Sequence, residues 1–280
     1  MTRGRLLPAV LGLLTAAVLV LLYVPMLPPI LFSLQPTAES TGLPGTAANL
    51  SPGASSGPSL DSYAALLSNP VLPDALQITL ISALLTAMIA SALGLLGAMA
   101  VRELHLSRVV LMLLLAPLFV PGVTMGLSDA FFFHALNLEP SLLTIVIVQV
   151  LWCLPFTTMI ILTTMSTFEQ TLLEAAYLLG ASRLRAFLDI EFPAIRTGVT
   201  GAVLFSAILS VNETVRTQLV QGPLNNVPTY IYSTYLQIGL TPDIYALMSL
   251  LILASALVFV AILVLGLRPR TRLATSGEAV

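Results

Sequence analysis

The sequence contains no lysine and only one cysteine, two histidines and one tryptophan. Charged residues make up 9% of its 280 residues, whereas hydrophobic residues make up 57%. A soluble domain of this composition would expose large apolar patches and aggregate, so the composition predicts a membrane protein. The lone Cys153 cannot form an intrachain disulfide, and its apolar surroundings are typical of a small packing residue.

Motifs of several enzyme classes are missing from the sequence. It has no Walker-type phosphate loop, no metal-ligand spacing and no nucleophile elbow. His105 and His134 are expected near opposite faces of the membrane, which argues against a shared site. The net charge of −2 gives no indication of nucleic acid, and we expect no cofactor in this chain. A membrane-embedded enzyme would need clustered catalytic groups, and the sequence offers none.

Six apolar stretches are long enough to cross a membrane, because about 30 Å of hydrocarbon takes roughly 20 helical residues. They run over Leu6–Leu34, Leu76–Val101, Val109–His134, Ser141–Thr164, Thr197–Val220 and Ile244–Leu267. The predicted fold class is therefore all-α, a polytopic membrane protein with six transmembrane helices. The first stretch is too long for the apolar core of a secretory signal, and no small-residue cleavage site follows it.

Prolines predict irregularities inside two of these helices. Pro117 and Pro121, with Gly122, lie in the third stretch, and Pro155 lies in the fourth. Each proline removes a backbone hydrogen bond where the membrane offers no replacement, so kinks are expected at both places.

Arginine sets the predicted orientation. In the six-helix arrangement, every arginine except Arg216 falls on one side of the membrane. The positive-inside rule then places both termini and the short loop around Arg102 and Arg108 in the cytoplasm.

We divide the chain into four parts. Residues 1–34 form the cytoplasmic N-terminal end and the first span, and residues 35–73 form a periplasmic loop. Residues 74–267 form the transmembrane core, and residues 268–280 form a cytoplasmic tail. Residues 35–73 are rich in Pro, Gly, Ser, Ala and Thr without periodicity, which predicts a flexible loop ending in a short surface helix. Within the core, residues 221–243 carry three tyrosines between turn signals, a pattern typical of an interfacial helix.

The core also contains a charged insert, residues 165–196, between the predicted fourth and fifth helices. Ser166 to Glu169 fits a capping box and predicts the start of a helix that ends near Leu179. Gly180 is expected in the left-handed conformation that commonly ends helices, and Ser182 is expected to cap a second helix.

The second helix of the insert is predicted to be amphipathic. Leu184, Phe187 and Leu188 share one stripe, and Pro193 predicts a break before the fifth span. Two alternatives stay open from this pattern: the helix lies at the lipid interface, or it docks into a groove of a cytosolic partner.

The insert resembles the membrane subunits of binding-protein-dependent ABC importers. Their motif reads Glu-Ala-Ala, three residues, Gly, nine residues, Ile, one residue, Leu-Pro, and here Phe192 replaces the leucine. The resemblance implies a type I importer transmembrane domain in a bacterial inner membrane, with the insert as a coupling helix pair for a separate ATPase. The implied coupling residues are Glu174, Ala175, Ala176, Gly180, Leu184, Ile190 and Pro193.

The stretches "QGPLNNVPTYIYSTYLQIGLTPDIYAL" and "LWCLPF" are similar to the C-type membrane subunit of the spermidine/putrescine permeases. This resemblance implies a non-catalytic permease subunit for a small cationic or amine-containing solute. The implied partners are a dimer of ATP-binding subunits that holds ATP and Mg²⁺, a second and different permease subunit, a periplasmic or lipid-anchored solute-binding protein, and membrane lipid.

Polar residues inside the membrane are candidates for the solute pathway, because each is costly there unless paired or hydrated. Asp129 and Glu213 could bind ammonium groups, and Asn212 and Tyr232 are further candidates. Alternatively, Glu213 and Arg216 neutralise each other. The amide of Asn212 stands where polyamine permeases carry an acid, so zwitterionic solutes stay open.

An ion-gradient-driven secondary transporter is the alternative function. It predicts inverted repeats with broken helices at the midplane, and the sequence contains no clear pair of such segments.

Overall fold

The computed structural model describes residues 3–34, 58–104 and 107–266, and within these ranges all regular structure is helical. The α-helices are α1 (Arg3–Tyr23), α2 (Leu27–Phe32), α3 (Asp61–Leu67), α4 (Val71–Glu103), α5 (Ser107–Leu115), α6 (Gly122–Ala135), α7 (Leu142–Met165), α8 (Thr171–Leu178), α9 (Arg183–Ala186), α10 (Phe192–Val211), α11 (Val215–Val220), α12 (Val227–Ile238) and α13 (Pro242–Gly266). The all-α prediction is confirmed. Most of the predicted flexible loop, residues 35–57, lies outside the described residues. The predicted tail, residues 268–280, and His105 also lie outside them.

Four helical segments of the described chain are long and apolar enough to span a membrane: Val10–Phe32, Val71–Glu103, Leu142–Met165 and Arg183–Val211. A fifth candidate is the pair Arg108–Phe119 and Gly122–Ala135, which is bent by 101°. The last predicted span lies on α13, which is described to Gly266. The membrane class agrees with these lengths, while the count of six stays a prediction.

The kink predicted in the third span is a sharp break. Pro117 is the second residue of a 3₁₀ turn at Ala116–Phe119, and Pro121 then takes an extended conformation before α6. Neither proline has an N–H to continue the helix, and the chain therefore changes direction.

In the fourth span, α7 continues through Pro155 while packed against α4 and α10, and the kink expected there stays a prediction. One other prediction about the membrane helices is wrong. The fifth span is not continuous to Val220: α10 ends at Val211, and α11 begins at Val215. The carboxylate of Glu213 accepts the backbone N–H of Arg216 at 2.9 Å, so a side chain supports the new helix start.

Residues 70–237 form one compact unit, in which α4, α7 and α10 pack together. Glycines allow this close approach: a Cβ at Gly94 would lie 2.4 Å from Thr157 Oγ1, and one at Gly198 would lie 2.1 Å from Thr164 Oγ1. Small residues at helix contacts are the usual basis of packing in membranes, where lipid offers no hydrophobic driving force.

The second unit combines residues from 1–69 and 238–280, with α2 and α3 packed on α13. The hydroxyl of Tyr63 lies 2.8 Å from Ser33 Oγ and 2.8 Å from Ser249 Oγ. Phe32 and Tyr245 stack beside this chain of hydroxyls at 5.3 Å between ring centroids. The short helix predicted near the end of the loop is thus present as α3.

Candidate functional site

The turn between the two helices of the insert has the predicted form. Gly180 has φ +85°, and its N–H donates to Tyr177 O at 3.0 Å. Ala181 N–H donates to Ala176 O at 3.0 Å, which completes a Schellman motif. Ser182 then caps the next helix by accepting the N–H of Arg185 at 3.4 Å.

The predicted start of the insert is wrong. Ser166 does not open a helix but ends α7: its N–H donates to Leu162 O, and its hydroxyl donates to Thr163 O at 2.7 Å. The next helix, α8, begins at Thr171 with Gln170 at the N-cap position. Serine hydroxyls can bond either backward or forward, and here the completed turn of α7 takes the bond.

The break predicted at Pro193 is also absent. The helix that begins at Arg183 continues through a π turn, Phe187–Glu191, directly into α10. In the π turn, Phe192 N–H donates to Phe187 O. This wider turn immediately before Pro193 accommodates a residue that has no N–H of its own.

The insert has a small apolar core of its own. Leu173, Ala176 and Ala186 are buried in it, and Ile190 packs against them. The motif residues therefore separate into two groups. Ala176 and Ile190 hold the insert together, whereas Glu174, Ala175 and Pro193 are exposed.

Four leucines of the insert point away from its core. Leu178 and Leu179, at the end of α8, are 89% and 88% exposed. Leu184 and Leu188, one helical turn apart, are 69% and 52% exposed. We refer to these four residues as the tip leucines. Leu184 and Leu188 belong to the stripe that the sequence predicted for the second helix, whereas its third member, Phe187, is half-buried.

A cleft of roughly 500 Å³ separates the insert from the end of α4. Its lining includes Met99 and Arg102 on α4, and Glu174, Tyr177 and Glu191 on the insert. Glu191 is only 2% exposed and forms an ion pair with Arg102. Sequence reasoning missed this pair, because no local spacing connects residues 89 positions apart.

The intramembrane charges gather where the third and fifth spans are broken. Glu213 Oε2 accepts Arg216 Nη1 at 2.8 Å, and both side chains are buried. The guanidinium carbon of Arg216 lies 3.8 Å from the ring centroid of Trp152. Of the two alternatives for Glu213, the structure shows the pair with Arg216.

Asp129 belongs to the same region. It interacts electrostatically with Arg216, and its Oδ2 is buried without a hydrogen-bond partner among the described residues. The other two candidates for the solute pathway lie apart from these charged side chains. Asn212 is exposed and donates to Ile208 O at 2.8 Å, within its own helix, and Tyr232 is 44% exposed on α12.

A buried glutamine joins four helices next to these charges. Gln149 Oε1 accepts from Thr86 at 3.2 Å and from Ser210 at 2.5 Å, and Gln149 Nε2 donates to Thr217 at 3.0 Å. The side chain is fully buried. The sequence could have indicated this network, because Gln149 is a lone polar residue within an apolar run and a polar group there needs hydrogen-bond partners.

Comparison with known proteins places these features in context. The family described as "Binding-protein-dependent transport system inner membrane component" matches residues 88–273. The spermidine/putrescine transport system permease protein PotC of Escherichia coli (strain K12) is 27% identical over 202 residues, covering 71% of this chain and 76% of that protein. The putrescine transport system permease protein PotI of the same strain is 30% identical over 150 residues, covering 51% of this chain and 53% of that protein.

A solved structure has the same fold. It is a bacterial ABC transporter involved in the import of the acidic polysaccharide alginate, with a TM-score of 0.62 at 13% identity. The match covers 96% of this chain and 99% of that one.

An all-helical fold with several long apolar helices and a charged insert between two of them defines a multi-span membrane protein. The chain belongs to the family of inner membrane components of binding-protein-dependent transport systems, and it is a permease subunit. The secondary-transporter alternative is not favoured.

Proposed function

We propose that the insert of this permease subunit docks into a separate ATP-binding subunit. The observation that carries the proposal is the exposure of the tip leucines on an insert that already has its own closed core. Apolar side chains that do not serve the internal packing are available to a partner, and a helix presenting them fits a groove. The motif that ends at Pro193 supports the same assignment.

The remaining partners follow from this arrangement. A second permease subunit completes the pathway, a dimer of ATP-binding subunits holds ATP and Mg²⁺, and a periplasmic or lipid-anchored binding protein delivers solute. Both termini and the insert lie in the cytoplasm, as the distribution of arginine indicates. Residues 221–243 and the loop at 35–73 then face the periplasm.

ATP binding would draw the two ATP-binding subunits together. The insert moves with the groove that holds it, and the solute cavity changes from inward-facing to outward-facing. A rigid joint is needed for this step, because the chemical energy is released on another polypeptide. The Schellman turn at Gly180 and the insert's own core supply that rigidity.

Co-purification tests the docking. Leu184→Asp in the complete transporter should reduce recovery of the ATP-binding subunit on the tagged permease at least about tenfold, since it places a charge in an apolar interface. Leu67→Asp is the matched control, because Leu67 on α3 is 83% exposed and lies outside the insert. Equal recovery from both variants would contradict the proposal, as would an insert that contacts only lipid in the assembled complex.

We propose further that the solute carries an amine. Relatives of this chain are named for spermidine and putrescine, and Asp129 offers a carboxylate oxygen without a partner among the described residues. The region holds the carboxyl groups of Glu213 and Asp129 and the guanidinium of Arg216, so acidic groups exceed basic groups by one. Such a region suits one ammonium group better than several, with Asn212 and Tyr232 as later contacts along the pathway.

The solute is identified by purifying the assembled transporter with its binding protein and determining the bound molecule by mass spectrometry. Uptake of that molecule into proteoliposomes is then measured for Asp129→Asn and for the exposed control Asp74→Asn. We expect uptake at least about tenfold lower for Asp129→Asn alone. Normal uptake by Asp129→Asn, or a bound molecule without an amine, would contradict the assignment.

The ATP requirement is tested directly in cells. Uptake should stop when ATP is depleted and persist when an ionophore collapses the ion gradients. The opposite result would favour a secondary transporter.

A further inference from the structure

The insert and α4 face each other across the cleft of roughly 500 Å³. Met99, Arg102 and Glu103 line the α4 side, while Tyr177 and Phe187 are among the residues of the insert side. At the two ends of the insert, Ala98 on α4 shares an apolar core with Met165 and Ile195. Across the cleft itself, the Arg102–Glu191 ion pair joins the two surfaces.

The π turn directs Glu191 toward α4. The bond from Phe192 N–H to Phe187 O makes this turn one residue wider than an α-helical turn, and Glu191 is its last residue. Neighbouring side chains on the same stretch, Asp189 and Phe192, are exposed, whereas Glu191 is almost completely buried. A local departure from α-helical geometry thus accompanies the inward placement of one charge.

The pair has two contacts, which fix its geometry. Arg102 Nη1 donates to Glu191 Oε1, and Arg102 Nη2 donates to Glu191 Oε2 at 3.3 Å. Arg102 also donates to the exposed Glu103 at 3.1 Å. A planar guanidinium that bonds both oxygens of a carboxylate restricts distance and orientation together, which a single contact does not.

We propose that the Arg102–Glu191 pair transmits displacement of the insert to α4 during the transport cycle. The inference rests on the proposed docking of the insert into an ATP-binding subunit. The chain joins the insert to α7 and α10 only, so a movement of the insert reaches α4 through noncovalent contacts. Arg102 and Glu191 act as positioning residues for coupling, without touching solute or nucleotide.

The test compares Arg102→Gln and Glu191→Gln in the complete transporter, reconstituted with its binding protein and ATP. We expect each variant to assemble with the ATP-binding subunits and to hydrolyse ATP, while solute imported per ATP hydrolysed falls about tenfold, within the usual range of coupling between sites. The charge-exchange variant Arg102→Glu with Glu191→Arg should recover that ratio to within about twofold, because it restores an ion pair.

Glu103→Gln provides the matched control. Glu103 lies on α4 and bonds the same arginine at 3.1 Å, but its side chain is 62% exposed. Removal of this exposed contact should leave the ratio unchanged. An unchanged ratio in Arg102→Gln and Glu191→Gln, or a charge-exchange variant of residues 102 and 191 that assembles but stays uncoupled, would overturn the proposal.

If Arg102→Gln and Glu191→Gln fail to accumulate, the charge-exchange variant and Arg102→Lys provide the test. Lysine keeps the charge but not the two-contact geometry, so Arg102→Lys should assemble and show a lowered ratio. A normal ratio in Arg102→Lys would also overturn the proposal. These results are distinguishable from failure of the proposed docking function. In that case the unmodified transporter itself would neither retain the ATP-binding subunit nor import solute with ATP.

Discussion

Arg216 lies over Trp152, with the guanidinium carbon 3.8 Å from the centroid of the ring. Glu213 accepts from both the side chain and the backbone N–H of the same arginine. A charge that is costly in a membrane is thereby stabilised by a carboxylate and an aromatic face. The break between α10 and α11 places these groups together.

Removal of one partner should destabilise the permease strongly. Glu213→Gln removes the carboxylate that is ion-paired with the buried Arg216 guanidinium, and breaking a buried pair in this way costs about 3–5 kcal/mol. Thermal unfolding of the purified permease subunit, followed by the fluorescence of its single tryptophan, should therefore shift to lower temperature. Glu213→Gln with Arg216→Gln should recover most of the loss. A single variant as stable as the unmodified protein would count against the pair.

Close approach of α10 to α7 should not tolerate a larger residue at Gly198. Gly198→Ala would place a Cβ 2.1 Å from Thr164 Oγ1 and should cost about 1–3 kcal/mol through overpacking. Gly201 lies on the same helix, and a Cβ there would meet its nearest neighbour at 3.9 Å. Gly201→Ala is therefore the control, and its unfolding temperature should not fall. If Gly198→Ala and Gly201→Ala lowered the unfolding temperature equally, close helix packing at Gly198 would not explain the loss of stability.

The turn of the insert should need glycine at position 180 because of the backbone conformation there, and not because space is lacking for a side chain. A Cβ at Gly180 would have open space around it, yet φ is +85°, where a side chain costs about 1–2 kcal/mol. Gly180→Ala should weaken binding of the ATP-binding subunit several-fold in a titration, while membrane insertion stays normal. Gly180→Asn should be milder, because asparagine tolerates this conformation better. Unchanged binding by Gly180→Ala would show that the turn need not be rigid.

Features set by neighbouring residues could be predicted from the sequence. The left-handed Gly180, the cap at Ser182 and the break near Pro121 each depend on a few adjacent residues, and each is present. Apolar length likewise predicted the helical membrane class.

Features set by long-range contacts could not be predicted. The Arg102–Glu191 pair and the bonds of Gln149 connect distant parts of the chain. Ser166 illustrates the same limit at short range: its sequence context fits the start of a helix, but the preceding helix extends far enough to use its hydrogen bonds. At Pro193 the π turn overrides the expected break, and no local rule applied to the sequence revealed that turn.

Cysteine labelling tests the central claim most directly. A cysteine introduced at Leu178, in a chain whose own Cys153 is buried, should react with a membrane-impermeant maleimide only in inside-out vesicles. Addition of the ATP-binding subunits should then protect it. Reaction from the outer face of intact cells, or full reactivity in the assembled transporter, would contradict a cytoplasmic insert that docks the ATPase.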